Sequence, residues 1–110
     1  MADFPRYFFI TDSMFSIHHD DKTDSRFVMD ENSEFLIKID SNLLFTDAKG
    51  NCLDSLHCRS IDGEKQYVSS NGFMTGVIDN NYDWYKLLMA EIELSIHLIQ
   101  NNITVQGNQK

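Results

Sequence analysis

The clearest pattern of apolar positions lies between Tyr82 and Ile103, where they recur at helical spacing. On a helical wheel, one set of these side chains occupies an arc of roughly 100°, the width of a stripe that faces a protein core. The set is Tyr85, Leu88, Met89, Ile92, Ile96, Ile99 and Ile103. The pattern predicts one long helix that packs through this stripe, so Ile96→Ala should destabilise the fold more than Leu94→Ala.

Polar residues mark both ends of the predicted helix. Good N-cap residues precede it, namely Asp79, Asn80 and Asn81. Asp83 falls in the first turn, where a negative charge suits the helix dipole. The pair Asn101-Asn102 and Gly107 follow the last periodic positions, so we expect the helix to end there and residues 104–110 to form a frayed tail.

The predicted helix has a second apolar face, which we call the leucine face, nearly opposite the first. Its members are Trp84, Leu87, Leu94 and Leu98. Polar residues lie between the two faces, among them Glu91 and Ser95 on one side and Glu93 and His97 on the other. Either another part of the chain covers the leucine face, or a second protein or a second copy does, since contiguous exposed apolar patches mark contact sites.

Upstream of the helix, short β-favouring runs alternate with turn residues. The predicted strands lie within residues 1–12, 26–30, 34–40, 43–46, 52–61, 66–70 and 73–78. Residues 13–17 fit either a strand or one helical turn, and the polar run 18–24 predicts a loop. Gly50 can supply a positive φ, Asp62-Gly63 and Asn71-Gly72 are hairpin signals, and Gly76 indicates a bulge or a close backbone approach. We therefore predict an α+β fold, an antiparallel β-meander with one long C-terminal helix packed across one face.

Length and charge narrow the possible partners. The 110 residues fit a single domain, 1–110. The net charge of -8 argues against nucleic acid and anionic membrane, which reward clustered Lys and Arg, and favours a basic protein as partner. The alternative is that the charge only keeps the protein in solution. Because we find no signal peptide and no membrane span, we expect a cytoplasmic protein in which Cys52 and Cys58 are buried, reduced and unbridged.

Acidic residues cluster in one stretch between residues 20 and 34. They are Asp20, Asp21, Asp24, Asp30, Glu31 and Glu34, against only Lys22 and Arg26. Loops on either side of one short strand could bring these carboxylates to one rim of the sheet. We expect them to form the partner-binding site, docked into a cationic cleft, and the alternative is a solvated run of charge.

No grouping of chemically reactive residues predicts catalysis. The run 18–21 offers metal ligands, but adjacent loop residues rarely converge on one ion without distant help. Cys52 and Cys58 fall on one face of a strand and His57 on the other, so they do not converge. Glu93 and His97 lie four apart on the helix, without a predicted pocket. We therefore expect no metal, no cofactor and no enzymatic activity.

In size, acidity and lack of catalytic groups the chain resembles bacterial immunity proteins, including those of contact-dependent and secretion-delivered toxin systems. The resemblance implies an antitoxin that covers the active site of a basic toxin or nuclease, with the monomer favoured in the complex. The alternative is a small acidic secretion chaperone or adaptor that dimerises through the leucine face. Self-association at micromolar concentration would separate the two classes.

Overall fold

Seven antiparallel strands pair in chain order as one curled sheet, and a single helix follows them. The computed structural model describes residues 6–76 and 82–103. The elements are β1 Arg6–Ile10, β2 Ser13–Asp20, β3 Ser25–Asp30, β4 Phe35–Ile39, β5 Leu44–Asp47, β6 Cys52–Ile61, β7 Glu64–Ser69, α1 Asp83–Leu98 and a π-helical turn Ile99–Ile103. The predicted α+β meander is confirmed.

Strand β2 is longer than the sequence predicts. The sequence predicts that His18, His19 and Asp20 belong to a loop, yet β2 runs from Ser13 to Asp20. Pairing with β3 explains the extension, because Ile17 lies opposite Val28 and His19 lies opposite Arg26. Cross-strand hydrogen bonds hold the backbone extended even where the side chains are polar.

Strand β6 is one element, which the sequence predicts as two adjoining runs. Both cysteines are free, as expected, but they are exposed where we expected them to be buried. The irregularity in the β5–β6 pairing places Cys52 opposite Thr46, on the face away from buried Asp54. Cys58 shares the face of Leu56 but lies beyond the part that the core covers. The run predicted at 73–78 forms a single bridge, Val68 to Met74, within the described residues, and residues 77 and 78 lie outside them.

Three successive hairpins, β3–β4, β4–β5 and β5–β6, turn through the same aspartate-capped loop. Asp30, Asp40 and Asp47 each accept backbone N–H bonds at Oδ1 from the second and the fourth residue that follow, at 2.9–3.0 Å. The third residue after each aspartate has a left-handed φ; these residues are Ser33, Leu43 and Gly50. This geometry is that of a three-residue hairpin loop with a bulge, in which the carboxylate replaces missing backbone partners.

The helix packs on the sheet through an arc that lies between the two predicted faces, and Ile92 and Ile99 of the predicted stripe are buried in it. Leu94 and Leu98 are 0% and 2% exposed, whereas Ile96 is only partly buried. The polar residues Glu91 and Ser95, which we placed at the boundary between the two faces, are 2% and 0% exposed. The centre of the buried arc is therefore polar in sequence, which is why a count of apolar positions placed the core-facing stripe to one side of it.

The core fills the space between the helix and the concave face of the sheet. Its buried apolar residues are Phe8, Phe15, Ile17, Val28, Ile37, Ile39, Phe45, Leu56, Ala90, Ile92, Leu94, Leu98 and Ile99. At the helix start, Tyr82 is the N-cap but makes no side-chain capping bond. The predicted N-caps at 79–81 and the tail 104–110 lie outside the described residues. At the other end, Asn101 Nδ2 donates to the carbonyl of His97 at 2.7 Å, so it satisfies a terminal helix acceptor.

The corrected helix orientation reverses the expected mutational order. Leu94→Ala should cost about 2–5 kcal/mol because it opens a cavity in the core, and Ile96→Ala should cost less than half as much because that side chain is partly solvated. Urea unfolding of both variants measures the difference. Equal losses, or a larger loss for Ile96→Ala, would contradict this orientation of the helix.

Candidate functional site

The acidic residues of the stretch 20–34 lie at opposite ends of the sheet. Successive hairpins of a meander turn at alternate ends, so the turns at 11–12, 31–34 and 48–51 share what we call the β1–β2 end. The turns at 21–24, 40–43 and 62–63 share the β2–β3 end. The length of β3, roughly 17 Å for its six residues, separates the two ends. The prediction that these carboxylates share one rim is wrong for this reason.

At the β2–β3 end, the carboxylates are paired within the chain. His19 contacts Asp21 through Nδ1 at 3.0 Å and Asp24 through Nε2 at 2.8 Å. Arg26 Nη1 lies 3.3 Å from the same Asp24 carboxylate oxygen. The guanidinium also donates to Glu91 on the helix, from Nε at 3.1 Å and from Nη2 at 2.5 Å. The exposed hairpin is thus connected through Arg26 to the interior.

The pKa values at this end follow from these contacts. The hydrogen bond to Asp24 raises the pKa of His19 above 6.5, and the same bond lowers the pKa of Asp24 below 3.8. Burial raises the pKa of Glu91, and Arg26 opposes that shift. Asp20 caps the turn, because its carboxylate accepts bonds from Lys22 N at 3.0 Å and from Thr23 Oγ1 at 3.1 Å. The carboxylates of Asp20, Asp21 and Asp24 therefore already form contacts within the chain.

The two histidines of β2 point to opposite faces of the sheet. His18 Nε2 lies 3.0 Å from Ser16 Oγ, on the face away from His19. Within residues 6–76 and 82–103, no group of three or more His, Cys, Asp or Glu side chains is placed to hold a metal ion.

At the β1–β2 end, the exposed carboxylate of Glu31 contacts the strand that neighbours the exposed ring of Phe9. The Asp30 carboxylate is bonded to backbone N–H groups of its own turn. Glu31 and Glu34 are exposed, and Glu31 Oε1 lies 3.5 Å from Met14 N. Met14 is the cross-strand partner of Phe9, which is 62% exposed. Exposed Asp12 lies in the adjoining turn.

Tyr7 completes this patch. Its side chain is 57% exposed, on the same side of β1 as Phe9, whereas Phe8 between them is buried. We call Tyr7, Phe9, Asp12, Glu31 and Glu34 the β1 patch. The sequence analysis predicts a strand within residues 1–12 but no binding role for these rings. The alternation of a half-buried strand could have identified them, since only every second residue can face the core.

A shallow cleft of about 240 Å³ lies on the outward side of the helix. It is lined by Phe73, Glu93, Ile96, His97 and Gln100. Phe73 stacks on the imidazole of His97, with ring centroids 4.4 Å apart. The Glu93 carboxylate accepts the N–H of Gly76 at 2.8 Å. A Cβ at Gly76 would lie 3.7 Å from this carboxylate, an ordinary contact distance, so the contact does not require the glycine predicted for a bulge or a close backbone approach. The cleft is open and its carboxylate is already bonded.

No protein-family model, curated protein or solved structure matches this chain. Among the described residues, no helix has the length and apolar character needed to cross a membrane.

The paired His19 should make stability depend on pH. A raised pKa in the folded state means that protonated His19 stabilises the hairpin fully below pH 6.5, and that this contribution is lost as pH rises through the raised value. Asp24 stays ionised in that range because its pKa lies below 3.8. The excess stability of the wild type over His19→Gln should therefore be larger at about pH 5.5 than at about pH 9.

Urea unfolding at both pH values checks this expectation. His18→Gln is the matched control, because His18 bonds to Ser16 on the other face of the sheet. A pH-independent difference for His19→Gln, or the same pH dependence for both variants, would contradict the assignment.

Proposed function

We propose that this chain is a small acidic protein that binds and inhibits a basic protein, as an immunity protein neutralises a toxin or nuclease. The β1 patch is the observation that carries the proposal. It combines exposed aromatic rings with exposed carboxylates on a regular sheet. Aromatic side chains dominate binding energy at protein interfaces, and a rigid support lowers the entropy lost on binding.

Charge supports a basic partner. The chain carries a net charge of -8, and the carboxylates of Asp12, Glu31 and Glu34 form no salt bridge among the described residues. Such carboxylates attract a cationic surface over a Debye length of about 8–10 Å and pair with it at contact. The net charge should therefore speed association, while Tyr7 and Phe9 slow dissociation.

The opposite end of the sheet is less suited to this role. Asp21 and Asp24 already contact His19, and Arg26 adds a positive charge beside them. A partner that recruited these carboxylates would first have to break contacts within the chain. We therefore place the partner surface at Glu31 and Glu34 of the predicted acidic stretch.

The alternative function, a dimeric chaperone or adaptor, was assigned to the leucine face of the helix. Leu94 and Leu98 are buried against the sheet of the same chain, and of the leucine face only Trp84 is exposed and Leu87 half-buried, so little of this surface is open to a second copy. No other surface among the described residues favours that function over inhibition.

The experiment pairs the chain with a basic toxin-like protein encoded beside it and measures inhibition and association kinetics. Phe9→Ala should weaken the complex by roughly 30-fold or more, as expected for an interfacial aromatic anchor, mainly by faster dissociation. Glu31→Gln with Glu34→Gln should slow association and flatten its dependence on salt. Both variants should keep the wild-type melting curve, because these side chains are exposed.

The matched control is Glu64→Gln, an exposed carboxylate near the opposite end of the sheet. It removes one charge from the chain without touching the β1 patch, and it is compared with Glu31→Gln and Glu34→Gln made singly. Equal effects of Glu64→Gln and the carboxylate variants of the patch would show that the net charge of the chain, and not the position of these carboxylates, controls association. Full inhibition by Phe9→Ala with unchanged kinetics would reject the β1 patch as the binding surface.

A further inference from the structure

The two outer strands of the sheet differ in how their edges are covered. Beyond β7, the segment around Thr75 adds a bridge, and Thr75 N and Oγ1 both donate to the carbonyl of Tyr67, at 3.1 and 3.0 Å. Gln66 Nε2 donates to the Thr75 carbonyl at 3.2 Å. No described residue pairs in this way with the outer edge of β1.

The register of the first hairpin shows which backbone groups face that edge. Ile10 pairs with Ser13 across the two-residue turn 11–12, and the closing pair of such a hairpin is hydrogen-bonded. Bonded and non-bonded pairs then alternate along an antiparallel ladder. Phe8 therefore bonds to Phe15 of β2, whereas Tyr7 and Phe9 direct their N–H and C=O groups outward.

Strand β1 also lacks the features that usually protect an edge. It contains no proline and no lysine, and its pairing with β2 is unbroken by a bulge, whereas β3–β4 and β5–β6 each contain an irregularity. Its one charged residue, Arg6, lies at its start, with the guanidinium 5.9 Å from the ring centre of Trp84. Proteins normally avoid such open edges because they pair with other chains.

We propose that β1 pairs, backbone to backbone, with an extended segment of the basic partner. This inference rests on the proposed function and specifies how the same patch recognises that partner. Tyr7 and Phe9 would supply the main-chain bonds together with their exposed rings, and added strands of this kind gain affinity from main-chain bonds. Asp12 and Glu31 lie near one end of the strand, so a lysine- or arginine-rich segment is favoured over a second copy of this acidic chain.

The test uses a synthetic peptide of about seven residues that alternates lysine and valine, the length of an ordinary strand. The matched control peptide alternates glutamate and valine. Hydrogen exchange measured by NMR on the intact chain should slow at least about tenfold at the Tyr7 and Phe9 amides when the lysine peptide is added, because both N–H groups gain acceptors. The lysine peptide should bind at least about tenfold more tightly than the glutamate peptide.

Two variants separate the backbone from the side chain. Tyr7→Pro removes an outward N–H without removing a bond to β2, as proline can do on an edge strand, and should abolish peptide binding. Tyr7→Ala removes the ring but keeps the N–H, and should retain protection of the Phe9 amide. If Tyr7→Pro does not fold, hydrogen exchange at the Tyr7 and Phe9 amides of the wild-type chain is sufficient to test strand pairing.

Three results would overturn the inference. They are unchanged exchange at both amides, equal binding of the two peptides, and concentration-dependent protection without peptide, which would make a second copy the occupant. Failure here differs from failure of the proposed function. A basic partner that is inhibited while the Tyr7 and Phe9 amides stay unprotected in the complex would leave inhibition standing and reject strand pairing.

Discussion

The orientation of the helix depends on the ion pair between Arg26 and Glu91. The pair is bidentate and almost dry, with side chains 12% and 2% exposed. Charges removed from water are tolerated only when they are paired with good geometry, so Glu91 must face Arg26 on the concave side of β3. Glu91 lies at the centre of the buried arc of α1, and this position turns Leu94 and Leu98 inward with it.

The same ion pair belongs to the network that pairs some of the carboxylates within the chain and leaves others exposed. Arg26 contacts Asp24, and Asp24 in turn contacts His19, so the exposed carboxylates at the β2–β3 end are paired within the chain. The β1–β2 end contains no such cation contact among the described residues, and its carboxylates stay exposed beside Tyr7 and Phe9. The fold thereby divides one acidic stretch of sequence into a structural part and a part available for binding.

The strands and turns could be predicted because their signals are local. Gly50 and Asp62-Gly63 occupy positive-φ turns, and the strand predicted at 34–40 is β4, whose alternate residues Ile37 and Ile39 lie in the core. The helix face could not be predicted, because a buried glutamate is recognisable only once its partner, 65 residues away, is known. The separation of the acidic stretch between two ends of the sheet could have been predicted, because successive hairpins of a meander turn at alternate ends. Exposure of Tyr7 and Phe9 could also have been predicted from alternation around Phe8, because only every second residue of a half-buried strand faces the core.

A double-mutant cycle on Arg26 and Glu91 tests the central claim most directly. Arg26→Met and Glu91→Leu should each cost about 3–5 kcal/mol of unfolding free energy, because each leaves a buried charge without its partner. The double variant should recover most of that loss, since apolar side chains of similar size replace both charges. Losses that simply add in the double variant would contradict the account, because they would show that the two residues do not depend on each other and that this pair does not orient the helix.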